Sequence, residues 1–254
     1  MTKVLAIANQ KGGVGKTTTA VNLSASLGSM GKRVLLIDLD PQGNATMGCG
    51  ENKYDLKYSI CELLLGECHL SDAIISPKAV LIELIGSNTN LVAAEVALLN
   101  GHDNESQLKL LLKPVLNNYD FIIIDCPPSL NMLTINAFTA SDGVLIPMQC
   151  EYYALEGLSS LLETINKIKT TTNPDLEIFG ILRTLYDSRN NLSNDVSAQL
   201  SQHFSDKLLK TIIPRNVKLA EAPGFGQSII DYEPNSKGAI AHLELADEII
   251  QRIQ

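Results

Sequence analysis

The chain of 254 residues has no tryptophan and only 5% aromatic residues, so aliphatic side chains must fill its core. It has no uninterrupted apolar stretch of about 18 residues, which excludes a spanning helix. The N-terminal MTKVLAIANQKGG carries a short apolar run broken by Asn9 and Gln10, with no cleavage site. A secretory leader is therefore not expected, and a cytoplasmic location is. No CxxC pair occurs among the five cysteines, Cys49, Cys61, Cys68, Cys126 and Cys150, and their odd number favours reduced thiols. Cys61, Cys68 and His69 lack a second ligand pair at zinc spacing, while Cys126 and Cys150 adjoin apolar runs and read as small buried hydrophobes. The histidines His69, His102, His203 and His242 are scattered, so a catalytic triad has no support. Basic charge is scarce as well: 20 Lys+Arg face 28 Asp+Glu, a net charge of −8. That balance argues, at first sight, against a nucleic-acid binder.

What is present is ordinary globular composition, 45% hydrophobic and 19% charged, which excludes wholesale disorder. Six apolar, β-branched runs read as strands: Lys3–Ala8, Arg33–Asp38, Val80–Ile85, Phe121–Asp125, Gly143–Pro147 and Ile178–Leu182. They lack polar alternation, as strands buried on both faces do. Helical spacing of apolar residues occupies Thr17–Leu27, Leu108–Leu116, Leu130–Ala140, Ala154–Lys169 and Leu192–Phe204. A last helix is expected over Lys237–Ile253, with Ile240, Leu243, Ala246, Ile249 and Ile250 on one face. The alternation predicts an α/β fold: a mainly parallel twisted sheet with helices on both faces. No linker, repeat or low-complexity tract divides it, so one domain over residues 1–254 is expected. Gly43–Lys57 and Gly224–Ser236 are the least regular segments and read as functional loops.

After the first strand comes Lys11-Gly12-Gly13-Val14-Gly15-Lys16-Thr17-Thr18, followed by a helical pattern. A loop that wraps phosphate oxygens with backbone N–H groups needs glycines, and the next helix adds its positive dipole end. Lys16 then reaches the β- and γ-phosphates and the Thr17 hydroxyl ligates Mg²⁺. The general P-loop pattern places a glycine five residues before Gly15; here that residue is Gln10, and Lys11 stands early in the loop.

KGGVGKTT, then DLDPQGN at 38–44, FIIIDCPPS at 121–129, QCEYYALEGL at 149–158 and IPRNVKLAEAP at 213–223 together resemble the deviant Walker A P-loop ATPases of the ParA/MinD superfamily, most closely the small ParA/Soj partitioning type. The resemblance covers essentially the whole chain. It implies ATP and Mg²⁺ as ligands and a set of roles. Lys11 crosses a dimer interface to the phosphates of the partner's ATP, unless it only caps its own loop. Asp40 positions the attacking water, and Asp38 and Asp125 reach the Mg²⁺ shell. Carboxylates at strand tips sit where ligands bind in open α/β sheets, although Asp38 could instead cap the next turn. Pro214 and Asn216 hold the adenine, unless IPRN is simply a turn.

The resemblance also implies an ATP-dependent homodimer, non-specific DNA, and a ParB-type centromere-binding protein that stimulates hydrolysis on the nucleoid. DNA binding by an acidic chain requires its basic residues to cluster. Between Ile181 and Glu221 six basic residues meet four acids, a local +2 that leaves −10 elsewhere. Arg189 matches the family's DNA-contact position; Lys207, Lys210, Lys218 and Lys237 are further candidates, and the alternative for Arg189 is a solvated loop. Larger partitioning ATPases carry an extra N-terminal DNA-reading domain, which a first strand starting at Lys3 does not lead one to expect. Two other readings stay open: a MinD-like membrane-cycling ATPase, and a positioning ATPase for another cargo. The first needs a basic amphipathic C-terminal face, whereas this C-terminus carries Glu244, Asp247 and Glu248 against Arg252, so no membrane attachment is expected.

Overall fold

The computed structural model describes residues 1–100, 104–152 and 154–253, so His102 lies outside the described residues. Eight strands form one sheet: β1 (Lys3–Ile7), β2 (Val34–Asp38), β3 (Ile74–Ile75), β4 (Glu83–Ile85), β5 (Phe121–Asp125), β6 (Gly143–Gln149), β7 (Glu177–Tyr186) and β8 (Leu208–Pro214). Their spatial order is β3-β4-β2-β5-β1-β6-β7-β8. All neighbours are parallel except the antiparallel β3–β4 pair at one edge. From β1 the chain runs through β2 to the β4–β3 edge and returns to β5 between β1 and β2. It then runs outward on the other side through β6, β7 and β8, so strand order reverses around β1. Loops leaving that point open into a crevice at the carboxyl ends of the strands.

Two apolar layers sandwich the sheet. Alternate residues of the central strands (Val4, Ala6, Ile37, Ile122, Ile124, Val144) face one layer, which includes Leu133 and Phe138 of helix Met132–Ala140 and Leu158, Leu161 and Ile165 of helix Ala154–Thr171. The intervening residues (Leu5, Ile7, Leu36, Ile123, Leu145) face the other, built on helices Lys16–Ser29 and Lys237–Ile253. Burial on both faces explains why the strands read as continuous apolar runs. Among the described residues no helix is long and apolar enough to cross a membrane.

All six expected strands are present, Phe121–Asp125 with its expected bounds and the others with altered ones, and two more exist. β3 has only two residues, and β8 interrupts its apolar run with Lys210 and Thr211 because it lies at the sheet edge. β7 continues past the expected Leu182 to Tyr186, and that extension brings Thr184 and Leu185 to the phosphate loop. Both segments read as irregular contain short helices, Asn44–Gly48 and Ile229–Tyr232. They meet where a Cβ on Gly226 would lie 2.6 Å from Gly50 Cα, and both glycines have positive φ, so only glycine permits this backbone approach.

The last helix begins and ends as expected, but its inward face is rotated. Ala246 and Ile249 of the expected face are buried, but Ile240 is 48% exposed, and His242 and Leu245 are buried beside them. His242 lies wholly inside; its Nδ1 sits 2.9 Å from the Gly238 carbonyl and its Nε2 has no partner. Burial pushes its pKa down to about 4. The folded state therefore favours neutral imidazole: the stabilisation is complete above the unfolded value near 6.5 and is lost as pH falls towards about 4, on the order of 3 kcal/mol in all. Between about pH 7 and pH 5 the melting temperature of the wild type is expected to fall several degrees more than that of His242→Leu, measured by thermal denaturation. Parallel pH profiles would contradict this account.

Candidate nucleotide-binding site

β1 ends at Ile7 and the chain turns through Ala8–Gly15 into helix Lys16–Ser29. Gly13 (φ +73) and Gly15 (φ +86) take the left-handed backbone that the turn requires. A Cβ on Gly12 or Gly13 would meet no protein atom within 4 Å, because both border an open cleft of about 410 Å³. Lys16, Thr17, Thr18, Asp40, Gln42, Asn44, Pro128 and Leu185 complete its lining. Val14 is buried, and its carbonyl accepts a 2.7 Å hydrogen bond from the Thr184 hydroxyl. Asn9 ties the loop to β6, donating from Nδ2 to the Pro147 carbonyl at 2.7 Å and accepting from the Lys11 amide at 3.0 Å.

The two loop lysines differ. Lys16 is buried and donates to the Lys11 carbonyl at 3.2 Å. Burial lowers its pKa, opposed by the charges of Asp125 and then Asp40. Lys11 is roughly half exposed and pairs with Glu151, just beyond the end of β6.

Asp38 and Asp125 end adjacent strands, and the β2–β5 register sets them directly opposite each other. Both are fully buried. Asp38 is well supplied with donors: its Oδ2 accepts from the Thr46 amide (2.8 Å) and hydroxyl (2.7 Å), its Oδ1 from the Asp40 amide (3.2 Å). Desolvation nevertheless raises its pKa to about 6, moderated by those donors and raised further by Asp40. Neither oxygen of Asp125 has a hydrogen-bond partner. Burial and then the Asp38 charge hold its pKa well above the ordinary carboxylate range; the nearby Thr17 hydroxyl lowers it without reaching hydrogen-bond geometry. Asp40 lines the cleft, and its Oδ1 caps the turn by accepting from the Gln42 amide at 2.9 Å.

Asn216 borders a smaller recess of about 100 Å³ with Gly15, Thr18, Thr19, Thr184, Leu185, Ile213, Leu219 and Ala220. Its Oδ1 caps helix Val217–Glu221 by accepting from the Lys218 amide at 2.8 Å, and Pro214 closes β8 two residues before it. Leu185 borders both recesses and is the sole non-glycine residue with positive φ among those described.

The basic candidates do not form one patch. Arg189 is 88% exposed and bound to Asp187 at 2.8 and 2.9 Å, which holds the Asp187 pKa down at about 2. Arg215 lies on the same side of the sheet, its amide donating to the Tyr186 carbonyl at 3.1 Å. Lys218 follows and pairs with Glu221 at 2.8 Å. Lys207 precedes β8 and Lys210 sits near its start, so both lie towards the opposite end of that strand; Lys210 borders a groove with Glu244, Asp247 and Glu248. Lys237 opens the final helix and is exposed.

Glu151, Thr46, Ser87, Thr184 and Leu185 shape the site without having been individually legible in the sequence. Each acts through a contact distant in the chain or, for Leu185, through backbone conformation. Only the DPQGNAT run around Thr46 offered a local signal.

Strand, glycine loop and helix, with carboxylates at two adjacent strand tips, define a P-loop nucleotide-binding protein. An AAA domain family matches residues 2–178. The chain is 51% identical over 249 residues to the sporulation initiation inhibitor protein Soj of Bacillus subtilis, covering 98% of each chain. It is 46% identical to the chromosome partitioning protein ParA of Myxococcus xanthus, covering 98% of this chain and 88% of that one. A crystal structure named as cobyrinic acid a,c-diamide synthase from Mycobacterium smegmatis, with bound ADP and magnesium, superposes with a TM-score of 0.87 at 41% identity, covering 100% and 96% of the two chains. The chain belongs to the ParA/Soj family of partitioning ATPases.

The unpartnered Asp125 carboxylate yields a stability prediction. Its ionised form is a buried charge facing Asp38, so removing that charge should stabilise the nucleotide-free fold wherever the ionised form is populated. Asp125→Asn is expected to raise the melting temperature at about pH 8, and the gain should shrink as pH falls and the wild-type carboxyl protonates. A variant less stable than wild type at every pH would show that Asp125 is not strained by burial.

Proposed function

We propose that this protein is a magnesium-dependent ATPase, acting as a single ATPase domain, that segregates chromosomes or plasmids through ATP-gated binding to DNA. The observation that carries the hydrolytic part is the convergence of Gly12, Gly13, Gly15, Lys16, Thr17 and Asp40 on one cleft. The loop N–H groups and the buried Lys16 ammonium offset triphosphate charge, and Thr18 continues the helix N-terminus beneath it. Asp40 orients the attacking water. Val14 is the packed residue that holds the loop to Thr184, and Pro214 and Asn216 border the base.

Asp125 supports a divalent cation near Thr17, since a buried carboxylate without donors lacks only positive charge or water. Thr17 would ligate Mg²⁺, with Asp38 and Asp125 holding water in its shell, and the ion would neutralise developing charge on the phosphates. Among the described residues no three His, Cys, Asp or Glu side chains gather as a metal cage. Mg²⁺ bound with phosphates and water requires none.

Lys11 serves a second subunit. Its pair with Glu151 is half exposed and worth about 1 kcal/mol or less, so exchange for a partner's triphosphate is feasible. The ATP-bound sandwich dimer brings two sets of sparse basic residues together. Arg189 is the principal DNA contact, with Lys218 beside it; Lys207, Lys210 and Lys237 contribute where the duplex reaches them. Non-specific binding places the protein on the nucleoid within the cytoplasm, and avidity compensates for a weak single patch. A ParB-type centromere-binding protein stimulates hydrolysis, which splits the dimer and releases DNA. The acidic final helix favours DNA over a membrane as the scaffold.

The test is DNA binding with ATP, ADP and no nucleotide across a salt series, beside sedimentation with anionic liposomes. Binding is expected with ATP alone, weakening steeply with salt, and Arg189→Glu should lower affinity at least about tenfold. DNA binding independent of nucleotide, or ATP-dependent liposome binding without DNA binding, would overturn the proposal.

A further inference from the structure

The turn that carries Asp40 is short, and the last backbone bond to a neighbouring strand before it is the Leu39 amide donating to the Asp125 carbonyl at 2.9 Å. Its brace comes from the loop that follows β4. Ser87 lies two residues beyond that strand and is fully buried. Its hydroxyl donates to the Asp40 carbonyl at 2.8 Å. Its backbone amide donates to the Thr46 hydroxyl oxygen at 2.9 Å, and Thr46 passes its own hydroxyl proton to Asp38 Oδ2 at 2.7 Å. One residue thus ties both carboxylate-bearing positions of the site to a third strand. Contact is close on the far side as well: a Cβ on Gly43 would lie 2.7 Å from the Ser87 carbonyl oxygen.

A hydroxyl has one proton to donate, and that of Ser87 is directed to the backbone of Asp40. If that bond is lost, the Asp40 carbonyl keeps only the Gly43 amide at 2.9 Å, and the turn is left with the Gln42 amide on Asp40 Oδ1 (2.9 Å), the Asp40 amide on Asp38 Oδ1 (3.2 Å) and the Lys53 ammonium on the Gln42 carbonyl (2.6 Å). The Lys53 bond lies at the surface and reaches Gln42, so the buried Ser87 hydroxyl is what holds the Asp40 backbone itself to the loop after β4.

We infer that Ser87 is a positioning residue for ATP hydrolysis, holding the Asp40 backbone so that its carboxylate meets the attacking water without rearrangement. This rests on the ATPase reading above. Ser87 touches neither the nucleotide cleft nor the phosphate loop, so its removal acts on the chemical step and not on nucleotide binding. A displacement of about 1 Å in such a group can slow a reaction by up to about 10²-fold.

The experiment uses the full chain and compares wild type, Ser87→Ala, Asp40→Asn and the double variant. The kcat for Mg-ATP, the Kd for a fluorescent ATP analogue and the melting temperature are measured for each. Ser87→Ala is expected to lower kcat at least about tenfold while Kd changes less than about twofold. In the Asp40→Asn background the same substitution should have no further effect on kcat, because nothing is left to position. Ser87→Cys, which fills the space with a poor donor, should reproduce the kcat loss even where the alanine variant proves too unstable to assay. Unchanged kcat in both Ser87 variants, with hydrolysis still slowed by Asp40→Asn, overturns this inference alone. Equal losses in kcat and nucleotide affinity also overturn it, since they mark a general defect in the site. A wild-type chain that binds ATP without hydrolysing it overturns both this inference and the ATPase reading.

Discussion

Everything at the site depends on the register between β2 and β5, which sets two buried carboxylates side by side at the mouth of the crevice. Burial raises the pKa of both, and neighbouring negative charge, Asp40 for Asp38 and Asp38 for Asp125, adds to the effect. Asp38 is relieved by donors from Thr46 and the Asp40 amide; Asp125 is not. The fold thus keeps a buried carboxylate without donors near Lys16 and Thr17, at the start of the helix that follows the glycine loop. A cation and a phosphate chain satisfy each other there, and Lys16, itself pulled between burial and the acids, completes the charge balance. The nucleotide-free molecule carries electrostatic strain that its ligands relieve.

The same economy of positive charge runs through the surface. A chain of −8 has few cations to place, and three of the candidate binding cations have acidic neighbours: Lys11 with Glu151, Arg189 with Asp187, Lys218 with Glu221. Each pair is solvent-exposed and weak, so each cation is available to a stronger anion. A monomer offers polyanions little attraction, and joining two copies doubles what is offered. That is the physical basis of the proposed gating of DNA association by ATP.

Much of this was legible in the chain. The glycine loop, its two lysines and the aspartates at the ends of RVLLID and FIIID are local signals, because phosphate binding and strand termination act on neighbouring residues. β8 was missed because an edge strand need not be apolar throughout, and Lys210 and Thr211 break its pattern. The rotation of the final helix was missed because Ile240 reads as core while His242 reads as surface; packing against helix Lys16–Ser29 and β8 reverses both. The basic candidates were grouped by proximity in sequence, yet β8 separates Lys207 from Arg215 by its own length.

By itself the sequence determined the class of fold, the phosphate loop and which carboxylates end the central strands, since these follow from periodicity and short-range chemistry. Tertiary structure alone decided that Asp38 and Asp125 face each other, that Ser87 braces Asp40 while Thr46 holds Asp38, and that Lys11 rests on Glu151. Those contacts join residues 8 to 140 positions apart, and only strand register and helix packing bring such partners within a hydrogen bond.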